Sequence, residues 1–235
     1  MLGRDLANYN EAIQAFDKAI EIDPLYATAW SNKGIALNNF GKCDEAIKAL
    51  DKAIEINPQY SSAWYNKGVT LAALGKYDEA IQAYDKAIEI DPQHAYAWCN
   101  KGNVLNNLSK YEEAIKAYDR AIEIEPQNAV FWFYKGNILA TQGKYNESIQ
   151  AMDKSLEISP TSDTAWVNKG EALRKLKRCD EAINCYNDAI KINPESALAW
   201  NDKGVALEGC KGKPDQAIQA YDKAIENDPQ YALAW

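Results

Sequence analysis

Among side chains able to do acid–base, nucleophilic or metal chemistry, His94 is the only histidine in 235 residues. It follows Pro92 in a loop, with no second histidine and no closely spaced cysteines beside it. A zinc site needs three or four such ligands, and a Ser–His–Asp or Cys–His centre would have to be built around one loop residue. The expectation is an ordinary surface side chain. The five cysteines, Cys43, Cys99, Cys179, Cys185 and Cys210, are odd in number and contain no CxxC pair. They fit free thiols in a reducing, cytoplasmic compartment. No glycine-rich phosphate loop is present. Asp78, Glu79, Asp85 and Glu89 recur in kind along the chain, as solvated helix faces do. These residues predict a protein without catalytic activity, metal or cofactor.

Charge narrows the partners. The chain has 26 basic and 34 acidic residues, a net charge of −8. Nucleic acid needs a basic stripe, and an acidic membrane surface also repels this balance. No apolar run approaches the roughly 20 residues of a spanning helix. The opening MLGRDLANYNEAI lacks the apolar centre of a signal peptide.

The elements that position side chains are copies of one unit. Trp30, Trp64, Trp98, Trp132, Trp166 and Trp200 are spaced by 34 residues, and Trp235 follows after 35. The prolines step likewise from Pro24 to Pro194, with Pro229 one residue late. A fixed period of this length marks stacked supersecondary units. In the copy Ala63–Pro92, Trp64, Val69, Leu71 and Leu74 lie near helical spacing. Gly75-Lys76 breaks that run, and Asp78 is a candidate cap for a second helix from Glu79. Ala80, Ile81, Tyr84, Ala87, Ile88 and Ile90 form one apolar stripe, which Pro92 terminates. Gly68 recurs as Gly34, Gly102, Gly136, Gly170 and Gly204. A helical glycine costs about 1 kcal/mol against alanine, so each copy predicts close approach of a neighbouring helix. Ala80 and Ala87 recur too, except as Ser148 and Ser155. Cys43 and Cys179 stand where other copies have Tyr77, Tyr111 and Tyr145, and read as packing residues.

At these residues the chain resembles the tetratricopeptide repeat family. Trp64, Gly68, Ala80, Tyr84 and Pro92 match its pattern, Tyr84 standing where Phe is usual. Lys67 departs where Leu is expected and Leu71 where Tyr is. Lysine also fills Lys33, Lys101, Lys135, Lys169 and Lys203, which suggests a snorkelling side chain with its stem on the helix interface. The resemblance implies an all-α fold: a right-handed superhelical α-solenoid of stacked antiparallel helix pairs. It implies one domain, 1–235. A partial repeat at 1–26 would take the second half of a first helix from Met1–Leu6. Full repeats would follow at 27–60, 61–94, 95–128, 129–162, 163–196 and 197–231. The last holds one inserted residue near Gly209-Cys210-Lys211-Gly212, expected in its turn, and 232–235 opens a further repeat.

In this family the first helices line a concave groove that holds extended peptides or partner helices. Carried over, the groove-facing columns are those of Tyr65, Asn66, Val69, Ala72 and Ala73. One column reads Asn32, Asn66, Asn100, Tyr134, Asn168 and Asp202. It resembles the asparagine ladder in the tetratricopeptide portion of O-linked N-acetylglucosamine transferases, where amides grip a peptide backbone; the alternative is bonding to a neighbouring helix. Asn103 and Asn137 are the equivalents of Val69. Phe133 and Tyr134 are expected to face the groove beside Tyr96, Val130 and Val167, as an exposed apolar cluster or as rings packed on one another. Arg174 and Lys175, with Lys177 and Arg178, could receive carboxylates unless Glu171 absorbs them. The lysine–asparagine clamp of chaperone cofactors is absent: Ser31/Ile35, Tyr65/Val69, Cys99/Asn103 and Phe133/Asn137 supply no lysine. The expected function is a non-catalytic scaffold binding protein or peptide segments. A substrate-recruiting arm of a larger, glycosyltransferase-like enzyme is the alternative, and an RNA-binding helical repeat the less favoured one. Unfinished repeats at both termini predict end-to-end self-association, with Ala217, Ile218, Tyr221 and Ile225 left uncovered.

Overall fold

The computed structural model describes residues 2–230, which form thirteen α-helices and no strand. Helix α1 (Leu2–Ile22) precedes six hairpins. They are α2 (Ala27–Asn39) with α3 (Cys43–Ile56), α4 (Ser61–Ala73) with α5 (Tyr77–Ile90), and α6 (Ala95–Asn107) with α7 (Tyr111–Ile124). Then come α8 (Ala129–Thr141) with α9 (Tyr145–Ile158), α10 (Asp163–Lys175) with α11 (Cys179–Ile192), and α12 (Ala197–Lys211) with α13 (Pro214–Asn227). The chain forms two compact units, Met1–Ile124 and Glu125–Trp235. Inside each, a second helix packs on the first helix of the next hairpin: α3 on α4 and α5 on α6, then α9 on α10 and α11 on α12.

Each hairpin closes at its glycine column. A Cβ added to Gly68 would lie 2.6 Å from Tyr84 Cε1, and one added to Gly102 would lie 2.8 Å from Tyr118 Cε1. The missing side chain lets the ring of the second helix lie flat on the first helix's backbone. Tyr84, Tyr118 and Tyr186 are consequently among the most completely buried large side chains. The alanines of the second helices, such as Ala80 and Ala87, are also fully buried. Ser148 and Ser155 keep this buried place, and Ser155 Oγ donates to the Ala129 carbonyl oxygen at 2.9 Å.

Local departures have physical reasons. Asp78 does not cap α5: the helix starts at Tyr77, and Asp78 and Glu79 sit in its first turn, at the positive end of the helix dipole. Residues 1–26 do not form a half-hairpin, since α1 is one helix of 21 residues. The turn position is Gly41, Gly75 and Gly143 in other copies, with φ of 84°, 72° and 75°. In the first copy it is Ala7, and the helix runs through it. The insertion does not sit in the last turn either. It lengthens α12 to 15 residues, against 13 in α10, and Gly212 ends it in the left-handed region with φ 59°. Of the α13 residues expected to be uncovered, Ala217 is buried against α12, and only Ile218 is exposed. The further repeat opening at 232–235, with Trp235, lies outside the described residues.

Candidate functional site

The tryptophan column fixes where each first helix begins. In six hairpins the indole Nε1–H donates to the carbonyl oxygen of the proline six residues earlier, at 2.9 to 3.3 Å. Trp64 therefore staples the inter-repeat loop rather than only filling core space. The lysine column does more than snorkel. Lys33, Lys67, Lys101 and Lys169 reach back to Asp17, Asp51, Asp85 and Asp153 of the preceding second helix, at 2.5 to 2.6 Å. Each ammonium also lies over its own tryptophan ring, 5.2 to 5.6 Å from the centroid. Lysine and aspartate 16 residues apart in every such pair was the available sequence signal.

In the first unit the expected groove residues are largely bonded to one another. Asn100 Nδ2 donates to the Tyr65 hydroxyl at 3.0 Å, and Asn103 Nδ2 donates to Asn100 Oδ1 at 3.3 Å. The Tyr118 hydroxyl donates to Asn103 Oδ1 at 2.7 Å. Asn66 Nδ2 turns back to the Ser62 carbonyl oxygen at 2.7 Å. Asn32 is half-buried on α2. The Tyr65 ring lies 4.6 Å from the His94 ring and 6.1 Å from that of Tyr84. Burial holds its phenol above the ordinary value, with the neighbouring Cys99 thiol adding to the shift. His94 is thus a half-buried structural residue: its Nδ1 also caps α6, accepting from the Ala97 N–H at 3.3 Å. The same position caps as Asn128, Ser162 and Ser196, a signal that the expected surface role of His94 passed over. Tyr96 stands out at 48% exposed.

In the second unit the column through Phe133 explains itself by size. Its members Val167 and Asn201 are buried, as Ser31 and Cys99 are at the equivalent place in the first unit. Val167 therefore does not face a groove: at 3% exposed it belongs to the α10–α11 core, because a short side chain here cannot leave the helix interface. Tyr65 and Phe133 carry the rings of this column and both emerge from it part-exposed. Phe133 packs against the buried cluster of Met152, Leu156 and Ala165, which Trp166 also covers, with the Tyr134 ring 5.8 Å away. Val130, one turn earlier on α8, is 48% exposed. Together with Ala129, Ser155, Ser162 and Thr164 they line a cleft of about 290 Å³. Asn168 Nδ2 donates to Asn137 Oδ1 at 2.7 Å, so these two amides are tied across α8 and α10.

Arg174, Lys175 and Arg178 of the basic cluster are already engaged with carboxylates of the chain. Arg174 Nε and Nη2 hold the Glu171 carboxylate at 2.8 and 2.7 Å, and Lys175 approaches it at 3.5 Å. Arg178 is likewise engaged with Glu181, at 2.7 and 2.6 Å. The cysteines also differ from expectation. Cys179 and Cys210 form a disulfide, because the lengthened α12 carries Cys210 back to the start of α11. Lys211 and Asp180 pair beside it at 2.5 Å. Cys43, Cys99 and Cys185 are free. Burial pushes the thiols of Cys99 and Cys185 up to about 12 and about 11, which suits packing groups rather than nucleophiles. Among the described residues no group of acidic, histidine and cysteine side chains is arranged to hold a metal ion, and no helix is long and apolar enough to cross a membrane.

Comparison with known proteins follows the same pattern. A search of curated proteins gives no match. Solved structures share the fold. YrrB, described as a TPR protein with an unusual peptide-binding site, is 26% identical over 80% of this chain and 96% of its own, with a TM-score of 0.67. The C-terminal part of a TPR repeat-containing protein from Cytophaga hutchinsonii is 19% identical over 97% of this chain and 93% of its own, with a TM-score of 0.77. The pilF protein of Pseudomonas aeruginosa is 20% identical, with coverage of 97% and 96% and a TM-score of 0.72. Family models described as tetratricopeptide repeat match residues 61–94, 95–128, 117–150 and 167–235, and one described as TPR repeat matches residues 4–39 and 40–75. By these matches and by its helix hairpins, the chain belongs to the tetratricopeptide repeat family.

Proposed function

We propose that this protein is a non-catalytic interaction scaffold that holds a peptide or helical segment on the face of its first helices. The observation that carries the reading is the Val130–Phe133 cleft. Phe133 packs on the cluster of Met152, Leu156 and Ala165 yet stays part-exposed and lines the cleft, and its neighbour Val130 is half exposed. Ser159, Ser162 and Thr164 bring further hydroxyls to the same cleft, which suit the polar groups of a peptide backbone. The similarity to YrrB, with its peptide-binding site, supports the reading at the level of the family. The engaged asparagines of the first unit favour an apolar anchor over an amide ladder as the main source of affinity. The test is to select peptides on the intact chain from a random display library and to place a photo-crosslinking phenylalanine analogue in turn at Val130 and at the exposed Glu55. Selected peptides should crosslink from Val130 and not from Glu55; equal crosslinking from both, or from neither, contradicts the reading.

A further inference from the structure

The lysine column contains one exception, on a different face of the first helices from Phe133 and its neighbours. Lys203 occupies the place of Lys33, Lys67, Lys101 and Lys169, each of which holds an aspartate of the preceding second helix. For Lys203 that aspartate position is Asn187. Among the described residues Lys203 has no carboxylate within ion-pair distance. Its one recorded partner is the Trp200 ring, 4.9 Å from the ammonium and closer than in any other pair of the column. The side chain is half-buried, and burial holds its ammonium below the ordinary lysine value. A cleft of about 710 Å³ opens over it, lined by Ile183, Asn187, Trp200, Leu207 and Gln219 among others. The acids on this wall do not replace the missing partner: Glu226 is engaged with Lys223, and Asp222 is beyond ion-pair reach of Lys203.

A half-buried cation with no anion is costly, and a ligand carboxylate arriving here regains the pairing that four sister hairpins already have. The apolar wall of Ile183, Trp200 and Leu207 would cover the stem of such a side chain. We propose that the Trp200–Lys203 cleft is a second contact site, taking an aspartate or glutamate side chain flanked by apolar residues from a partner protein. The site is separate from the Phe133 cleft and stands or falls independently of it.

Six of the seven tryptophans have equivalent indole–proline hydrogen bonds, so the five besides Trp200 give indole N–H signals that serve as internal controls. The probe is a tripeptide, acetyl-Leu-Asp-Leu-amide, titrated into the ¹⁵N-labelled chain and followed by NMR. The Trp200 indole signal should shift saturably while those of Trp64 and Trp98 stay in place, and acetyl-Leu-Asn-Leu-amide should shift nothing. Asn187→Asp rebuilds the internal pair and should abolish the Trp200 response; Lys203→Met should do the same. Asn187→Asp keeps the experiment decisive if Lys203→Met fails to fold. An unmoved Trp200 signal, an equal shift from the asparagine peptide, or an unchanged response in Asn187→Asp would each overturn the proposal.

Discussion

The hairpins α4–α5 and α8–α9 are built to the same plan and end up with different surfaces. Trp64 and Trp132 both bond the proline carbonyl six residues back, and Gly68 and Gly136 both admit a large side chain from the second helix. That side chain is Tyr84 in one and Met152 in the other. Tyr65 then stacks near Tyr84 and His94 and receives a hydrogen bond from Asn100, so its ring is tied into the fold. Phe133 has no hydroxyl to be tied and lies on the flexible Met152 and its neighbours. A methionine adapts its shape where a tyrosine does not. One column thus yields a ring hydrogen-bonded into the fold in the first unit and a ring held by packing alone in the second. The fixed columns set geometry, and the chemistry of two positions decides how the ring of each hairpin is held.

The comparison is broken most severely at Tyr84. Tyr84→Ala empties a site that is 1% exposed and should cost about 3–5 kcal/mol, read from chemical denaturation. Phe133→Ala, on a part-exposed ring, should cost less than half of that. Equal costs would show that Phe133 is a core residue after all.

The glycines sharpen the contrast between ring and thioether. Gly102→Val drives a branched side chain into Tyr118, where even a Cβ lies 2.8 Å from the ring, and should destabilise by about 1–3 kcal/mol. Gly68→Ala meets Tyr84 and should fall in the same range. Gly136→Ala meets chiefly the terminal methyl of Met152, at 2.8 Å, which swings aside, and should cost under about 1 kcal/mol. A melting temperature that falls equally in Gly68→Ala and Gly136→Ala would remove the distinction.

A smaller effect is expected at Tyr65. Tyr65→Phe deletes the acceptor for Asn100 Nδ2 at 3.0 Å and should cost about 0.5–1.5 kcal/mol. It also makes the first unit's column resemble that of the second, so weak new binding of a Phe133-directed peptide to this variant would support the reading of the difference. No change in stability would show that the hydroxyl is not holding the ring.

What the sequence made legible follows from how many residues agree at a position. The tryptophan, glycine and proline columns each speak with six voices, and the helical hairpins they predict are present. The first copy fails because its turn position is Ala7, and a helix passes through alanine at no cost. The disulfide escapes notice because Cys179 and Cys210 are 31 residues apart, off the repeat period, and meet only through the extra turn length of α12. Val167 and Phe133 share a column and differ in burial, since reach depends on side-chain length rather than on position. The lysine–aspartate pairs, and the break at Asn187, lay in the sequence at a spacing that crosses from one repeat to the next. Such a signal is invisible when each repeat is read alone.

The central claim is that Phe133 anchors a bound segment. Its most direct test is the dissociation constant of a library-selected peptide, measured by calorimetry for the wild-type chain and for Phe133→Ala. The account predicts weaker binding by about 1–3 kcal/mol, as for a hot-spot aromatic, with the helical circular-dichroism signal unchanged. Equal affinity for the two proteins would contradict it.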